Sequence, residues 1–228
     1  WMTERDAPEV IDYLKKENDY YDATTKHTDG LKNDLFEEIK SRIKEDDESV
    51  PYLLNGYWYI SKMETGESYP YYYRRKDGTD KIELLFNVNE MAIGHDFFKL
   101  TSMNISPDNN LVAYGVDTKG RREYSIYIKN LKTGELLSNH LELTTGGSVW
   151  ANDNKTLFFT RKDPQTLRAD KIYKYELGQP AASNQLVYEE KDEIFNCFVY
   201  KTMSGKSIMI NGSICFGKKY GVITSSFS

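Results

Sequence analysis

Two periods divide the chain. Over residues 6 to about 45 the apolar positions recur every three or four residues. In DAPEVIDYLKKENDYYDA, Val10, Tyr13, Leu14, Glu17 and Tyr21 form a mostly apolar stripe, the spacing of one face of an α-helix. Asp6 is placed to cap that helix, Pro8 is tolerable in its first turn, and Glu9 follows the cap by three residues. A second helix starts after Thr28 or Asp29, where Leu31, Leu35, Ile39 and Ile43 recur at every fourth position. This face must dock on something: its own protein, as a packed arm, or a partner.

From residue 51 onward the period falls to two. GYWYISKM, YPYYYRRK, KIELLFNV, NLVAYGVD, YSIYIKNL and DKIYKYELG are strand-like runs separated by short turns, among them ETGES, DGTD, TKGRRE and KTGE. Glycine at tight turns between β-branched and aromatic runs is the chemistry of hairpin meanders. The phrases SPDNNLVAY (106–114) and ANDNKTLFF (151–159) repeat one pattern, a polar turn with Asp and then an apolar strand. MSGKSIMI (203–210) is a looser third copy. Asp108 and Asp153 lie 45 residues apart, with the third copy about 50 further on. A period of 40 to 50 residues with about four strands in each predicts propeller blades, small sheets that bury their faces only by stacking.

Composition agrees. Of 228 residues, 39% are hydrophobic and 29% charged, with 18 Tyr and 10 Phe, a globular balance tilted toward β structure. The formal net charge of −5 comes from interspersed signs, so no basic field suits a phosphate backbone and nucleic-acid binding is not expected. No apolar run reaches a membrane-spanning length, and the opening WMTERDAPEV has neither part of a secretory leader. That opening reads as mid-phrase, so a leader ahead of it stays an open alternative. Cys197 and Cys215 make no disulfide framework or zinc site and read as two half-buried thiols.

Candidate chemistry is sparse. His95 adjoins Asp96, but sequence neighbours point apart, no G-x-S-x-G elbow is present, and a structural role is expected. His27, His95 and His140 lack metal-ligand spacing. KEDDES (44–49) lacks the glycine and alternation of a calcium loop and reads as a solvated acidic turn. TTGGS (144–148) reads as a turn, not a phosphate cradle. Tyr69, Tyr71, Tyr72 and Tyr73 read as strand residues alternating between core and solvent. Arg74, Arg75, Arg121 and Arg122 are exposed strand-end cations, or the grip of a non-catalytic scaffold on an acidic peptide. The residues alone offer no catalytic, cofactor-binding or metal-binding constellation, and no cofactor is expected.

Longer phrases carry a resemblance. PEVIDYLKKENDYYDA, LKNDLFEEIKSRIKEDDESVPYLLNGYWYISKMETGESYPYYYRRK, MAIGHDFFKLTSMNISPDNNLVAYGVDTKGRREYSIYIKNLKTGE and VWANDNKTLFFTRKDPQTLRADKIYKYELG resemble the oligopeptidase B group of the prolyl oligopeptidase family of serine peptidases, from Trp1 to about Gly212. The resemblance implies a seven-bladed propeller that admits short peptides to a Ser-Asp-His hydrolase domain cutting after Arg or Lys. It covers the N-terminal arm and about three blades. No family triad residue falls on any position here, so the chain alone is expected to be inactive. The domain reading is a helical arm over 1–50 and a partial propeller over 51–228, with NGSICFGKKYGVITSSFS departing from the family pattern after about Ile210 through truncation, frameshift or joining. The implied partners are short basic peptides in the complete enzyme and the hydrolase domain. An open blade flank near residues 186–212 is expected to expose apolar surface and favour self-association. Low cysteine content and family habit point to the cytoplasm, with the periplasm left open.

Overall fold

The computed structural model describes residues 1–137 and 139–213. Cys215 and nearly all of the departing tail lie outside the described residues. The chain divides into two compact units, one of residues 1–47 with 64–66, the other of residues 48–63 with everything from 67 onward.

The first unit is helical. α1 (Pro8–Thr25) and α2 (Asp29–Ser41) are joined by a single 3-10 turn, Lys26–Thr28. The cap differs from expectation. Ala7, not Asp6, holds the N-cap position without a side-chain bond, and Pro8 opens the helix. Proline fits there because the first backbone N–H groups have no partner within a helix. α2 buries none of its residues, and Leu31, Phe36, Ile39 and Ile43 are each about 62% exposed.

The second unit is a meander. Its first sheet has the order β1 (Asp47–Glu48), β3 (Tyr57–Met63), β4 (Tyr71–Lys76) and β5 (Ile82–Asn87), with β2 (Tyr52–Leu54) also on β3. A four-residue helix α3 (Val88–Met91) leads out of it. The next seven strands are paired in sequence order: β6 (Lys99–Ile105), β7 (Leu111–Asp117), β8 (Tyr124–Asn130), β9 (Leu141–Trp150), β10 (Thr156–Lys162), β11 (Ala169–Glu176) and β12 (Gln185–Glu189). A hairpin of β13 (Asn196–Lys201) and β14 (Ile208–Ser213) follows.

The seven-stranded run is two blades sharing one bent strand. The first part of β9 pairs with β8, Leu141 opposite Ile126 and Thr144 opposite Tyr124. Its last part pairs with β10, Ser148 opposite Phe159 and Trp150 opposite Leu157. TTGGS is therefore not a free turn: it is the bend inside β9. Gly146 makes the bend with φ +83°, and a Cβ there would lie 2.6 Å from Thr101 Cγ2 and 2.9 Å from the Tyr124 ring. Gly115 of β7 admits the close approach, because a Cβ on it would come within 2.6 Å of the Gly146 Cα. Both glycines are required, one for its backbone angle and both for space.

Each blade is apolar on both faces. Val112, Tyr114 and Val116 of β7 face Tyr59, Leu85 and Phe86 of the first sheet. Ala113, between them, joins Ile126, Ile128, Leu141, Trp150, Leu157 and Phe159 on the other side. Phe158 points away from Phe159 and packs with Val149, Ala151 and Ile208. Strands buried on both sides lose the polar alternation of a half-exposed strand, which explains the unbroken apolar run in NLVAYGVD. The tyrosines of β4 divide as expected: Tyr72 packs against the core, while Tyr71 and Tyr73 stack on each other 6.3 Å apart. Around β12 to β14, Leu186, Ile194, Phe198, Tyr200 and Met203 are exposed, as are Leu53, Ile82 and Leu84 of the first sheet.

Short Asx motifs close the turns. Asp117 is 1% exposed and accepts from the backbone N–H groups of Lys119, Gly120 and Arg122 at 2.8, 3.1 and 2.7 Å. Asp108 accepts from Ser106 Oγ and from the backbone and side chain of Asn110. Asp153 accepts from the backbone of Lys155 and Thr156 and from Thr156 Oγ1. Partial burial raises both of these carboxyls, but the hydrogen bonds to their ionised forms outweigh it and hold each below its ordinary value.

Gly146→Ala is expected to destabilise the chain by roughly 2–4 kcal/mol, because it adds left-handed strain to a steric clash. Thr101→Ser, which deletes Cγ2, should recover part of the loss; urea melts of the single and double variants read both effects. A second expectation concerns acid. Asp108 and Asp153 titrate lower folded than unfolded, so their stabilisation is full above the unfolded pKa and disappears as pH falls through the folded value. Asp108→Asn/Asp153→Asn should therefore be less stable at neutral pH, by less than about 1 kcal/mol per exposed site. The gap from the native chain should close below about pH 4, and a pH-independent gap would show that the charge is irrelevant.

Candidate functional site

The alternation of the meander puts the turns β2–β3, β4–β5, β6–β7 and β8–β9 at one end of the sheets and the turns β3–β4 and β7–β8 at the other. The four arginines of the sequence reading are divided by this geometry. Arg74 is 4% exposed. Its Nε donates to Glu83 at 2.8 Å, its Nη1 to the Asn109 carbonyl at 3.0 Å, and its guanidinium lies 4.4 Å from the Tyr57 ring centre. Arg75 points to the opposite face of β4, since side chains alternate, and donates to the Thr79 carbonyl. Arg121 and Arg122 are in the β7–β8 turn, at the other end. The Arg122 backbone is held by Asp117, and its carbonyl accepts the Lys162 ammonium. The four do not form one patch, and Arg74 is a buried staple between the first and second sheets, not an exposed cation.

The turn end holds a ladder that runs across the sheets. Asn55, Asn109 and Asn154 adopt φ of 48°, 61° and 58°, and Gly205 adopts 68°, the left-handed region that Asn and Gly tolerate best. They stand at equivalent places in the turns β2–β3, β6–β7, β9–β10 and β13–β14. Asn109 Nδ2 donates to the Asn55 carbonyl at 3.1 Å, and Asn154 Oδ1 accepts from the Asp108 N–H at 2.9 Å. Asn152 Nδ2 donates to the Gly205 carbonyl at 3.1 Å, while Lys201 reaches both the Trp150 carbonyl and Asn152 Oδ1. The ladder adds a fourth copy, LLNG at 53–56, to the three phrases read from sequence. Its signal in the sequence is the Asn-Gly pair; it lacks the Asp that marks the copies at 106–114 and 151–159.

A second polar cluster joins the third blade to the β13–β14 hairpin. Arg168 donates Nη1 to the carbonyls of Asp192 and Phe195 and Nη2 to that of Glu190. Asp170, 4% exposed, accepts from Lys171 at 2.7 Å. Cys197 beside them is completely buried, not half-buried. Burial, with Asp170 and Glu190 nearby, pushes its thiol up to about 12, so it stays protonated and unreactive. Tyr188 is also raised to about 12, chiefly by its hydrogen bond to Glu190.

The histidines are scattered. His27 Nδ1 meets the Thr24 carbonyl, His95 lies 5.7 Å from the Phe98 ring, and His140 stacks on Tyr127 and touches Glu142 at 3.0 Å. Asp47 of KEDDES pairs with Lys44, and Glu48 with Lys62. Among the described residues no group of three His, Cys, Asp or Glu is arranged to hold a metal ion. The polar geometry on view staples sheet to sheet and turn to turn.

Relatives show the same architecture. The family described as "Prolyl oligopeptidase, N-terminal beta-propeller domain" matches residues 1–215. A curated relative named "Dipeptidyl aminopeptidase BI", from Pseudoxanthomonas mexicana, is 38% identical over 92% of this chain and 32% of its own length. "Protease 2" from Moraxella lacunata is 30% identical over 93% of this chain and 32% of that protein. The solved structure of oligopeptidase B from Leishmania major superposes with a TM-score of 0.86 at 27% identity, covering 97% of this chain and 33% of that one. The chain thus spans about a third of the length of these relatives. Stacked meander blades, the turn-to-turn ladder and a family match over nearly the whole chain converge, and the chain belongs to the prolyl oligopeptidase family through its N-terminal β-propeller domain.

Proposed function

We propose that this chain is the propeller portion of an oligopeptidase-B-like serine peptidase that hydrolyses short peptides after Arg or Lys. The observation that carries the reading is the single uninterrupted match of residues 1–215 to the propeller domain. Relatives named Protease 2 and oligopeptidase B extend to about three times this length. In this reading a Ser-Asp-His hydrolase domain outside the chain does the chemistry. The serine attacks the peptide carbonyl, the histidine carries the proton, and the aspartate orients the histidine. The propeller's part is physical. Its stapled blades form a stiff wall that lets a short, unfolded peptide reach the catalytic groups and holds a folded protein away. The uncovered apolar faces of α2 and of the terminal sheets suit the packing of further domain structure.

A second reading rests on the relative at 38% identity, which is named a dipeptidyl aminopeptidase. It places the same propeller over a site that removes dipeptides from a free amino end. The two readings differ in the substrate terminus they need, not in the role of this chain.

The purified chain should not turn over an N-blocked arginine fluorogenic peptide above the buffer rate. Turnover abolished by a serine-reactive inhibitor would place the catalytic groups within residues 1–228 and overturn the reading. Reading the coding DNA beyond Ser228 supplies the longer protein to test. A G-x-S-x-G elbow with later Asp and His codons is expected there, and that protein should cleave the blocked arginine substrate. Cleavage only of substrates with a free amino terminus would favour the dipeptidyl reading. An open reading frame with no hydrolase domain would remove both.

A further inference from the structure

A cleft of about 500 Å³ opens between the first and second sheets, at the end that carries the turn ladder. Its charged lining is Arg74, Lys81, Lys129 and Lys132 against Glu83 and Asp108. That is an excess of two positive charges in one concavity, on a chain whose formal net charge is −5. The carboxylates are already engaged. Glu83 takes the Arg74 Nε–H, and Asp108 is occupied by Ser106 and Asn110 within its own turn. Arg74 is likewise committed to Glu83 and the Asn109 carbonyl.

The three lysines are in a different condition. Lys129 is half-buried. It donates to the Leu85 carbonyl at 3.0 Å and lies 5.1 Å from the Phe86 ring centre, contacts that leave its charge without an anion. Burial accordingly holds its pKa below the ordinary lysine value. Lys81 and Lys132 are exposed on the rim and have no ion pair among the described residues. Three ammonium groups around one concave, partly desolvated space attract anions more strongly than the same groups spread over open surface.

We propose that this cleft binds a small multivalent anion, a polycarboxylate or a phosphate, held by Lys81, Lys129 and Lys132 above the Arg74–Glu83 staple. The cleft walls come from two different blades, so a bound anion would also tie the first blade to the second. This site is separate from the chemistry proposed above and does not depend on it.

The test is titration of the 228-residue chain with citrate and, separately, with inorganic phosphate. Sodium chloride at matched ionic strength is the reference, and NMR follows the backbone amides and the Lys129 ammonium. Saturable shifts at the cleft are expected for at least one anion, together with an upward move of the Lys129 titration. The citrate and phosphate arms show which chemistry the site prefers. Lys81→Glu/Lys132→Glu should weaken binding by about tenfold or more. Lys15→Glu/Lys206→Glu, an equal change of net charge elsewhere on the surface, should leave it unaltered. A response no different from sodium chloride overturns the proposal. So does equal weakening by both double variants, or saturable binding that survives Lys81→Glu/Lys132→Glu.

Discussion

Among the described residues each blade is apolar on both faces, and the rest of the structure follows from that constraint. A sheet with one wet face can stand in a two-layer fold, whereas a sheet such as β6–β9, with Val112 and Tyr114 to one side and Ala113 and Ile126 to the other, needs a neighbour on each. Stacking satisfies the interior sheets and leaves faces uncovered at the two ends of the row, where Ile82 and Leu84, and Phe198 and Tyr200, remain exposed. Hydrophobic burial is non-directional, so it brings the sheets together without fixing how they are aligned.

Alignment comes from polar contacts made at low exposure. Arg74 binds Glu83 in its own sheet and the Asn109 carbonyl of the next. Trp150 Nε1 donates to the Asn104 carbonyl at 2.9 Å, joining the inner strands of adjacent blades. Lys129 and Lys201 each cross to a backbone carbonyl in a neighbouring blade. Each contact contributes about 1 kcal/mol to stability, but leaving a buried polar group unpaired costs up to about 3 kcal/mol. The row of blades is therefore held in one arrangement.

The strand pattern was legible. GYWYISKM, KIELLFNV, NLVAYGVD and YSIYIKNL are β3, β5, β7 and β8 to within a residue or two, because alternating or continuous apolar runs between glycine turns leave the backbone few options. The Asp-turn repeat revealed the blade period for the same reason: an Asx motif is local and writes itself into sequence. TTGGS was misread because its glycines do not end a strand. They let one strand serve two sheets, and the need for that arises from Gly115 and Thr101, some 30 and 45 residues away.

The sequence by itself determined the elements, their order, the blade period and, through its long phrases, the family, since all of these depend on residues close together in the chain. Only the tertiary structure decided which charged groups are structural and which are available. Arg74 and Arg75 are neighbours in sequence, yet strand alternation buries one between sheets and turns the other away. Lys81, Lys129 and Lys132 come to one cleft only because two blades bring their turn ends side by side. Burial and electrostatics depend on distances through space, which the order of residues along a chain does not contain.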